Sequence, residues 1–226
     1  MNEVKFSESE SKIIAHFIAS SDKSASDWSK DEFTSIKKTI KDHYIKEQNY
    51  TCCFCKQRIV VSHNRAWDAE HILSRFLHPA FMFEPKNLCI TCIDCNIEKS
   101  SKPVLARSIT GVRYPVSSST YIIVHPHFDQ YEDHLEVIVA GQLYRWKTPK
   151  GRKTINTYGL DRFLKVAERP QESDSSQEIK KLMQSALSST SDYADRETEL
   201  LETLLLKYSD KIGAETSIEV IKKIRR

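Results

Sequence analysis

The sequence of 226 residues lacks any apolar run near the roughly 18 residues that a membrane span requires. Its first residues, MNEVKFSESESK, also lack the basic stretch and apolar core of a secretory signal. We therefore expect a cytoplasmic protein without a membrane segment. In that compartment thiols stay reduced, so closely spaced cysteines favour metal binding over disulfides.

A strong excess of one charge and internal repeats are missing as well. The 34 Lys and Arg residues nearly balance the 31 Asp and Glu residues, which gives a formal net charge of +3. This excludes a polybasic coat that would hold nucleic acid over the whole surface. The densest basic run is YRWKTPKGRK, at 144–153. It predicts either a phosphate-binding ridge that includes Lys150, Arg152 and Lys153, or a hairpin edge protected by lysines.

Apolar residues at helical spacing predict helices over residues 9–19 and 30–48. Ser29 followed by Glu32 favours a capping box at the start of the second helix. Four apolar residues of this helix recur every three or four positions and predict one buried stripe: Phe33, Ile36, Ile40 and Tyr44.

The second half of the chain changes from strand patterns to helix patterns. Within residues 119–146 the segments YIIV and LEVIVA are typical of strands, and Gly141 before LYRW predicts a hairpin turn. Leucines and isoleucines at helical spacing predict helices after residue 160, with a linker near Pro170. We expect an α+β protein in four parts: an N-terminal helical segment (1–49), a cysteine-bearing core (50–105), a β-hairpin extension (106–169) and a C-terminal helical region (170–226).

The six cysteines fall into two clusters, YTCCFCKQR and NLCITCIDCNIEKSSK. Two C-x-x-C pairs, which together suit the tetrahedral four-sulfur site of zinc, are formed by Cys52, Cys55, Cys92 and Cys95. Cys89 with Cys92 is an alternative pair that spacing alone leaves open. We favour the first pairing because only there do Asn96 and Lys99 follow the second pair directly, in the order C-x-x-C-N-x-x-K.

The segment between the two pairs contains WDAEHILSRFLHPAFMFEPKNLC, which sets carboxylates beside an imidazole. Asp68, Glu70 and His71 come first, and Asn87 follows His71 by 16 residues. A neutral histidine can take a proton from water near pH 7. A carboxylate and an amide oxygen are ligands of a hard divalent cation. These residue types suit the hydrolysis of a phosphodiester.

The order [D/E]-H, N-L and C-x-x-C-N-x-x-K, with an upstream C-x-x-C, resembles the HNH endonucleases that carry a zinc-ribbon frame. The resemblance implies a zinc-ribbon-framed ββα-metal core, a following β-hairpin layer and helices at both ends. It also implies metal-dependent cleavage of nucleic acid, with DNA as the default substrate. RNA, including tRNA, is an alternative substrate. A zinc-ribbon binding module without catalysis is the alternative function.

Carried over one residue at a time, the resemblance makes His71 the general base. Glu70 and Asn96 become ligands of a catalytic Mg²⁺ or Mn²⁺, and Asn87 braces the loop that orients His71. The structural zinc ligands are Cys52, Cys55, Cys92 and Cys95. Many relatives have Asp where this chain has Glu70, so it stays open whether Asp68 shares the metal.

Two further residues are expected at the phosphates. Arg75 and Lys99 have the positive charge to contact the scissile or an adjacent phosphate, although basic residues are often only solvated.

A wider resemblance, over roughly residues 45–169, is to HNH proteins of the PtuB type. These are encoded beside an ABC-class ATPase in antiphage defence modules such as Septu. The matching segments are His125-Pro126-His127, Asp133-His134-Leu135, and Thr154-Ile155 with Leu160-Asp161-Arg162. The resemblance implies a defence nuclease with an ATPase partner subunit. For the histidines in these segments metal binding stays open, and structural hydrogen bonding is favoured.

Overall fold

The computed structural model describes residues 1–61, 63–109 and 113–162. The helices and the linker predicted beyond residue 162 lie outside the described residues. Within them, the helices and strands in chain order are α1 (Glu8–Ala19), α2 (Thr34–Glu47), β1 (Trp67–His71), β2 (Leu88–Cys92), α3 (Ile93–Lys99), α4 (Tyr131–His134), β3 (Leu135–Val139), β4 (Leu143–Trp146) and α5 (Pro149–Tyr158).

Helices combine with two small antiparallel sheets of two strands each, which confirms the predicted α+β class. The chain forms two compact units, Met1–Tyr131 and a second that begins at Glu132. The first unit contains α1, α2, both cysteine clusters, β1, β2 and α3. The N-terminal helices and the cysteine-bearing core therefore belong to the same unit. No helix within the described residues combines the length and apolar composition needed to cross a bilayer.

Helix α2 buries the predicted apolar stripe and holds the first sheet. All four stripe residues are buried, with exposures of 2% or less: Phe33, Ile36, Ile40 and Tyr44. The side chain of Gln48, just after α2, both donates to and accepts from the backbone of Ile90 in β2, at 2.7 Å each. Lys41 donates to the carbonyl of Trp67 in β1 at 2.6 Å. One hydrogen bond thus ties β1 to α2, and two tie β2 to the residue that caps the helix.

The predicted capping box of Ser29 and Glu32 is wrong. Ser29 ends a 3₁₀ turn, Ala25–Ser29, and a second short turn separates it from α2. The capping box lies at the start of the first turn instead, where Ser24 and Asp27 cap each other. A Ser followed by an acidic residue three positions later occurs in both places, so the motif alone selected the wrong one.

The order strand, strand, helix defines the central element of the first unit. β1 pairs antiparallel with β2, from Trp67 opposite Cys92 to His71 opposite Leu88. α3 begins directly after β2. Since side chains alternate along a strand, Asp68 and Glu70 share one face of β1.

The second unit contains the predicted hairpin. β3 and β4 cover most of LEVIVA and all of LYRW, and Gly141 in the turn has a φ of 81°. The strand predicted for YIIV is wrong, because only one isolated bridge forms there, between Tyr121 and Leu105. The next hydrogen-bonded position would pair Lys102 with Val124, but Lys102 N donates to the carbonyl of Lys99 in a turn instead.

Candidate metal cluster and adjoining cleft

The four predicted zinc ligands form one buried cluster. All four sulfur atoms lie within 4.8 Å of one another: those of Cys52, Cys55, Cys92 and Cys95. The Cys55 and Cys92 sulfurs are 3.7 Å apart. A tetrahedral zinc ion about 2.3 Å from each sulfur requires a separation of about 3.8 Å. The cluster therefore confirms that these cysteines can hold one metal ion, and its geometry suits zinc.

Local backbone structure presents the ligands. Cys52 and Cys55 lie on a tight turn, closed by hydrogen bonds of 3.0 Å from Lys56 N to Cys52 O and from Cys52 N to Gln57 O. Lys56 has a φ of 55°, which lets the chain reverse directly after the second cysteine. Cys92 ends β2, and Cys95 lies in the first turn of α3. The cluster thus joins a turn to a strand–helix junction.

The other two cysteines form a pair of their own. The sulfurs of Cys53 and Cys89 are 3.2 Å apart, and both residues are buried. Cys89 is not part of the four-sulfur cluster. This excludes the alternative pairing of Cys89 with Cys92 that the spacing left open.

A cleft of about 330 Å³ opens beside α3. It brings together most of the residues predicted for catalysis, and its lining consists of Glu70, His71, Ser74, Arg75, Phe76, Asn96, Ile97, Lys99 and Ser100. Of the residues predicted for catalysis, Asn87 is not part of this lining and is fully buried.

His71 is held in one tautomer. Its Nε2 lies 3.1 Å from the carbonyl oxygen of Met82. Since a carbonyl can only accept, Nε2 carries the proton and Nδ1 keeps a lone pair. Nδ1 is buried and makes no hydrogen bond within the described part of the chain. Burial, followed by the positive charges of Arg75 and Lys99, lowers the pKa of His71 to about 3, so the ring is neutral at pH 7.

Asn87 braces the backbone on both sides of this contact. Its Oδ1 accepts from Leu73 N at 2.7 Å, and its Nδ2 donates to Leu73 O at 3.1 Å and to Phe81 O at 2.9 Å. Leu73 lies just beyond His71, and Phe81 precedes the Met82 carbonyl. Asn87 is fully buried. It therefore fixes the loop on which the orientation of His71 depends.

Two polar contacts tie α3 to β1. Lys99 Nζ lies 2.7 Å from Glu70 Oε1, with both side chains no more than 3% exposed, and also donates to the carbonyl of His71. Asn96 Nδ2 donates to Asp68 Oδ2 at 2.8 Å. The phosphate contact predicted for Lys99 stays a prediction. It requires the ammonium group either to break its ion pair with Glu70 or to bind Glu70 and the phosphate at once.

Arg75 is half-buried at the edge of the cleft. Its guanidinium carbon is 5.3 Å from the centre of the Phe76 ring and 6.0 Å from that of Trp28. Burial lowers the pKa of Arg75, and the nearby carboxylates of Glu70 and Asp68 oppose this shift. The group stays positively charged, since arginine does not deprotonate in proteins.

The three remaining histidines of the predicted segments make structural contacts. His125 Nε2 is 2.9 Å from the Tyr114 hydroxyl, and His127 Nε2 donates to the carbonyl of Leu88 at 2.8 Å. In the second unit, His134 Nδ1 is 2.8 Å from Thr148 Oγ1. Among the described residues, only the four-cysteine cluster brings three or more Cys, His, Asp or Glu ligands together.

The basic run at 144–153 turns from strand to helix. Arg145 in β4 pairs with Glu136 at 3.2 Å. The cations proposed to contact phosphate lie in α5 rather than on a hairpin edge: Lys150, Arg152 and Lys153. Their role in binding nucleic acid stays a prediction.

The sequence did not indicate two residues of the cleft region, Trp28 and Met82. The ring of Trp28 lies edge-on to that of His71, with centroids 4.6 Å apart. It belongs to a 3₁₀ turn distant in sequence, so no spacing could indicate it. Met82 contributes a backbone carbonyl, and its side chain therefore gave no signal.

No family of proteins, curated protein or solved structure matches the chain.

We expect Cys92→Ser to lose bound zinc and most of the folded protein. Zinc at a thiolate site contributes on the order of 10 kcal/mol of apparent folding free energy in small domains. Cys53→Ser removes an equally buried sulfur outside the cluster and is the matched control. Metal content per chain and thermal unfolding measure both variants. Equal zinc loss in the two, or wild-type protein without zinc, contradicts the ligand assignment.

Proposed function

We propose that the chain is a metal-dependent HNH endonuclease with a zinc-ribbon-framed ββα-metal core. The observation that carries this proposal is the environment of His71, whose ring keeps one protonated and one unprotonated nitrogen beside a carboxylate and an amide in the same cleft. A binding module needs no such arrangement. The order of β1, β2 and α3 next to the cysteine cluster supports the same proposal.

His71 is the proposed general base. The bond from Nε2–H to Met82 leaves Nδ1 to accept a proton from water. The water oxygen attacks phosphorus, and the bond from phosphorus to the leaving oxygen breaks. By resemblance the leaving group is the 3′ oxygen, which takes its proton from solvent. The edge-on contact with Trp28 and the brace at Asn87 keep the imidazole in place during these steps.

Oxygen donors at the cleft fit a hard divalent cation. Glu70 and Asn96 would hold Mg²⁺ or Mn²⁺, which supplies Lewis-acid stabilisation of negative charge on the phosphate. Since Asn96 Nδ2 donates to Asp68, its Oδ1 is the atom left for a metal. Asp68 thus has a positioning role in this proposal.

DNA is the proposed substrate, with RNA as the alternative because none of these residues recognises a 2′-hydroxyl. Arg75 and Lys99 would contact phosphate near the scissile bond, and Lys150, Arg152 and Lys153 elsewhere. The resemblance further supports a cytoplasmic effector of antiphage defence, with an ABC-class ATPase as its partner.

His71→Ala should reduce cleavage by about 10²–10⁴-fold, the usual contribution of a positioned general base, and leave the zinc content unchanged.

Asn96→Ala should also reduce cleavage, but higher Mg²⁺ or Mn²⁺ should restore part of it, because added ion compensates for a lost ligand and not for a lost base. DNA and RNA substrates are tested across a metal titration, with any partner ATPase present.

His63→Ala is the control for these two variants, because His63 is exposed and lies outside the cleft. If the His71 variant cleaves as fast as wild type under conditions where wild type is active, the nuclease proposal fails. The binding-module function then replaces it.

Lys99→Met should strengthen the binding of the divalent ion, since it removes the ammonium that competes for Glu70. An ion at 100 times its dissociation constant stabilises a fold by about 2.7 kcal/mol. For a chain of this size that corresponds to a rise in melting temperature of roughly 5–10 °C. The Mn²⁺-induced rise should be larger in the variant than in wild type or in the exposed control Lys102→Met. Equal rises in all three argue against a metal at Glu70.

A further inference from the structure

A second groove adjoins the catalytic cleft. It measures about 440 Å³, and the two hollows share Ser74 as a common wall. The residues of its lining that matter here are Leu77, His78, Lys102, Val104 and Arg107. The proposed chemistry uses none of them. The groove is large enough for a ligand the size of a nucleotide, because small-molecule sites span about 300–1,000 Å³.

Exposed apolar side chains lie beside both hollows. Phe76, at the cleft, is 67% exposed, and Leu77, at the groove, is 54% exposed. They are consecutive residues of the loop that follows β1. Two adjacent apolar side chains exposed at the rims of these hollows offer a place where the apolar part of a ligand can pack.

Positive charge lies in the same groove. Arg107 and Lys102 are exposed. Lys102 pairs with Glu98 at 3.8 Å, with both side chains well exposed, so the contact is weak and an incoming phosphate can replace it. The groove thus combines an apolar wall with cations, as a nucleotide with a planar base and an anionic phosphate requires.

We propose that this groove binds one unpaired nucleotide directly beside the scissile phosphate. Its base packs on Leu77, and its phosphate is bound by Lys102 and Arg107. The proposal rests on the proposed function, and it specifies the substrate as nucleic acid that is single-stranded at the cleavage site.

The requirement for an unpaired base follows from the apolar wall. In a duplex the faces of the bases are covered by their neighbours, and the exposed backbone would bring hydrated phosphates against Leu77. An unpaired base offers its π-face, which packs against aromatic and apolar side chains and is present on every base. Leu77 and Phe76 are therefore better explained by single strands than by duplex.

Binding is measured by fluorescence anisotropy on the full chain carrying His71→Ala, so that cleavage does not interfere. The probes are an eight-nucleotide oligo(dT), the matching oligo(U) and a blunt DNA hairpin. We expect the single strands to bind more tightly than the hairpin. Leu77→Ala should weaken oligo(dT) binding by about fivefold or more, because it removes apolar area that the bound base covers. Arg107→Ala should lower the salt dependence by about 0.7 of a slope unit.

Matched controls are available in the first unit. Ile18→Ala truncates an apolar residue of similar exposure, 57%, on α1. Arg65→Ala removes an exposed cation of a 3₁₀ turn. Neither lines the groove, and neither should change the affinity. A difference between oligo(dT) and oligo(U) identifies which of the two nucleic acids supplies the nucleotide.

Two results separate this inference from the proposed function. If wild type cleaves and depends on His71, but Leu77→Ala and Arg107→Ala bind every probe as tightly as their controls, the groove is not a subsite and the nuclease proposal stands. If both substitutions weaken single-strand binding while His71→Ala leaves cleavage unchanged, the groove is supported and the nuclease proposal fails.

Discussion

The four-sulfur cluster is the constraint on which the geometry of the cleft depends. α3 has seven residues, and an isolated helix of that length is unstable in water. Its first turn includes Cys95, and Cys92 directly precedes it, so a metal held by these sulfurs fixes the start of the helix. Asn96 and Lys99 then follow at one helical step from each other, facing β1. The cluster at one end of α3 and these contacts to β1 together fix the two side chains at the cleft.

The buried pair of Glu70 and Lys99 is difficult to explain by stability alone. Removing both charges from water costs several kcal/mol per ion, and their attraction often does no more than offset that cost. A packed apolar pair would hold α3 on β1 equally well. The proposed function gives the carboxylate a reason to be there, since a metal ligand must be ionised. Lys99 balances that charge when no ion is bound.

Local patterns predicted the elements whose stability is local. The apolar stripe of α2 and the hairpin of β3 and β4 follow from period and turn chemistry, and the structure contains both. The choice of Cys92 with Cys95 also came from neighbouring residues. Of the predictions that were wrong, the capping box of Ser29 and Glu32 failed because the same local motif occurs twice, and the strand at YIIV depended on a partner elsewhere. The segment YIIV has strand composition, but the chain opposite it turns at Lys102, whose N–H donates to Lys99 O, and only one bridge forms.

Local sequence patterns also could not predict contacts between distant segments, because these depend on how the elements pack. Trp28 meets His71 only because α2 packs on the first sheet and brings the preceding turns with it. The sequence predicted a phosphate contact for Lys99 and gave no sign of its burial against Glu70, since burial of a charge depends on a partner that the fold supplies. Spacing located the chemical groups of the site, and only the packing of α2 and α3 on β1 determined their environment.

The loop after β1 lies between the cleft and the groove. Although it exposes apolar side chains, its backbone is held by hydrogen bonds. Ile72 and Leu73 are tied to Asn87, and the amides of Leu77 and His78 both donate to Ser74 O, at 3.0 and 2.8 Å. The same turn that leaves His71 at the cleft therefore projects the apolar side chains outward. Burying apolar area is worth about 25 cal/mol per Å², so a hydrogen-bonded loop that forgoes it carries a cost. In the proposed function, a nucleic acid strand that covers Phe76 and Leu77 as it reaches His71 recovers this free energy.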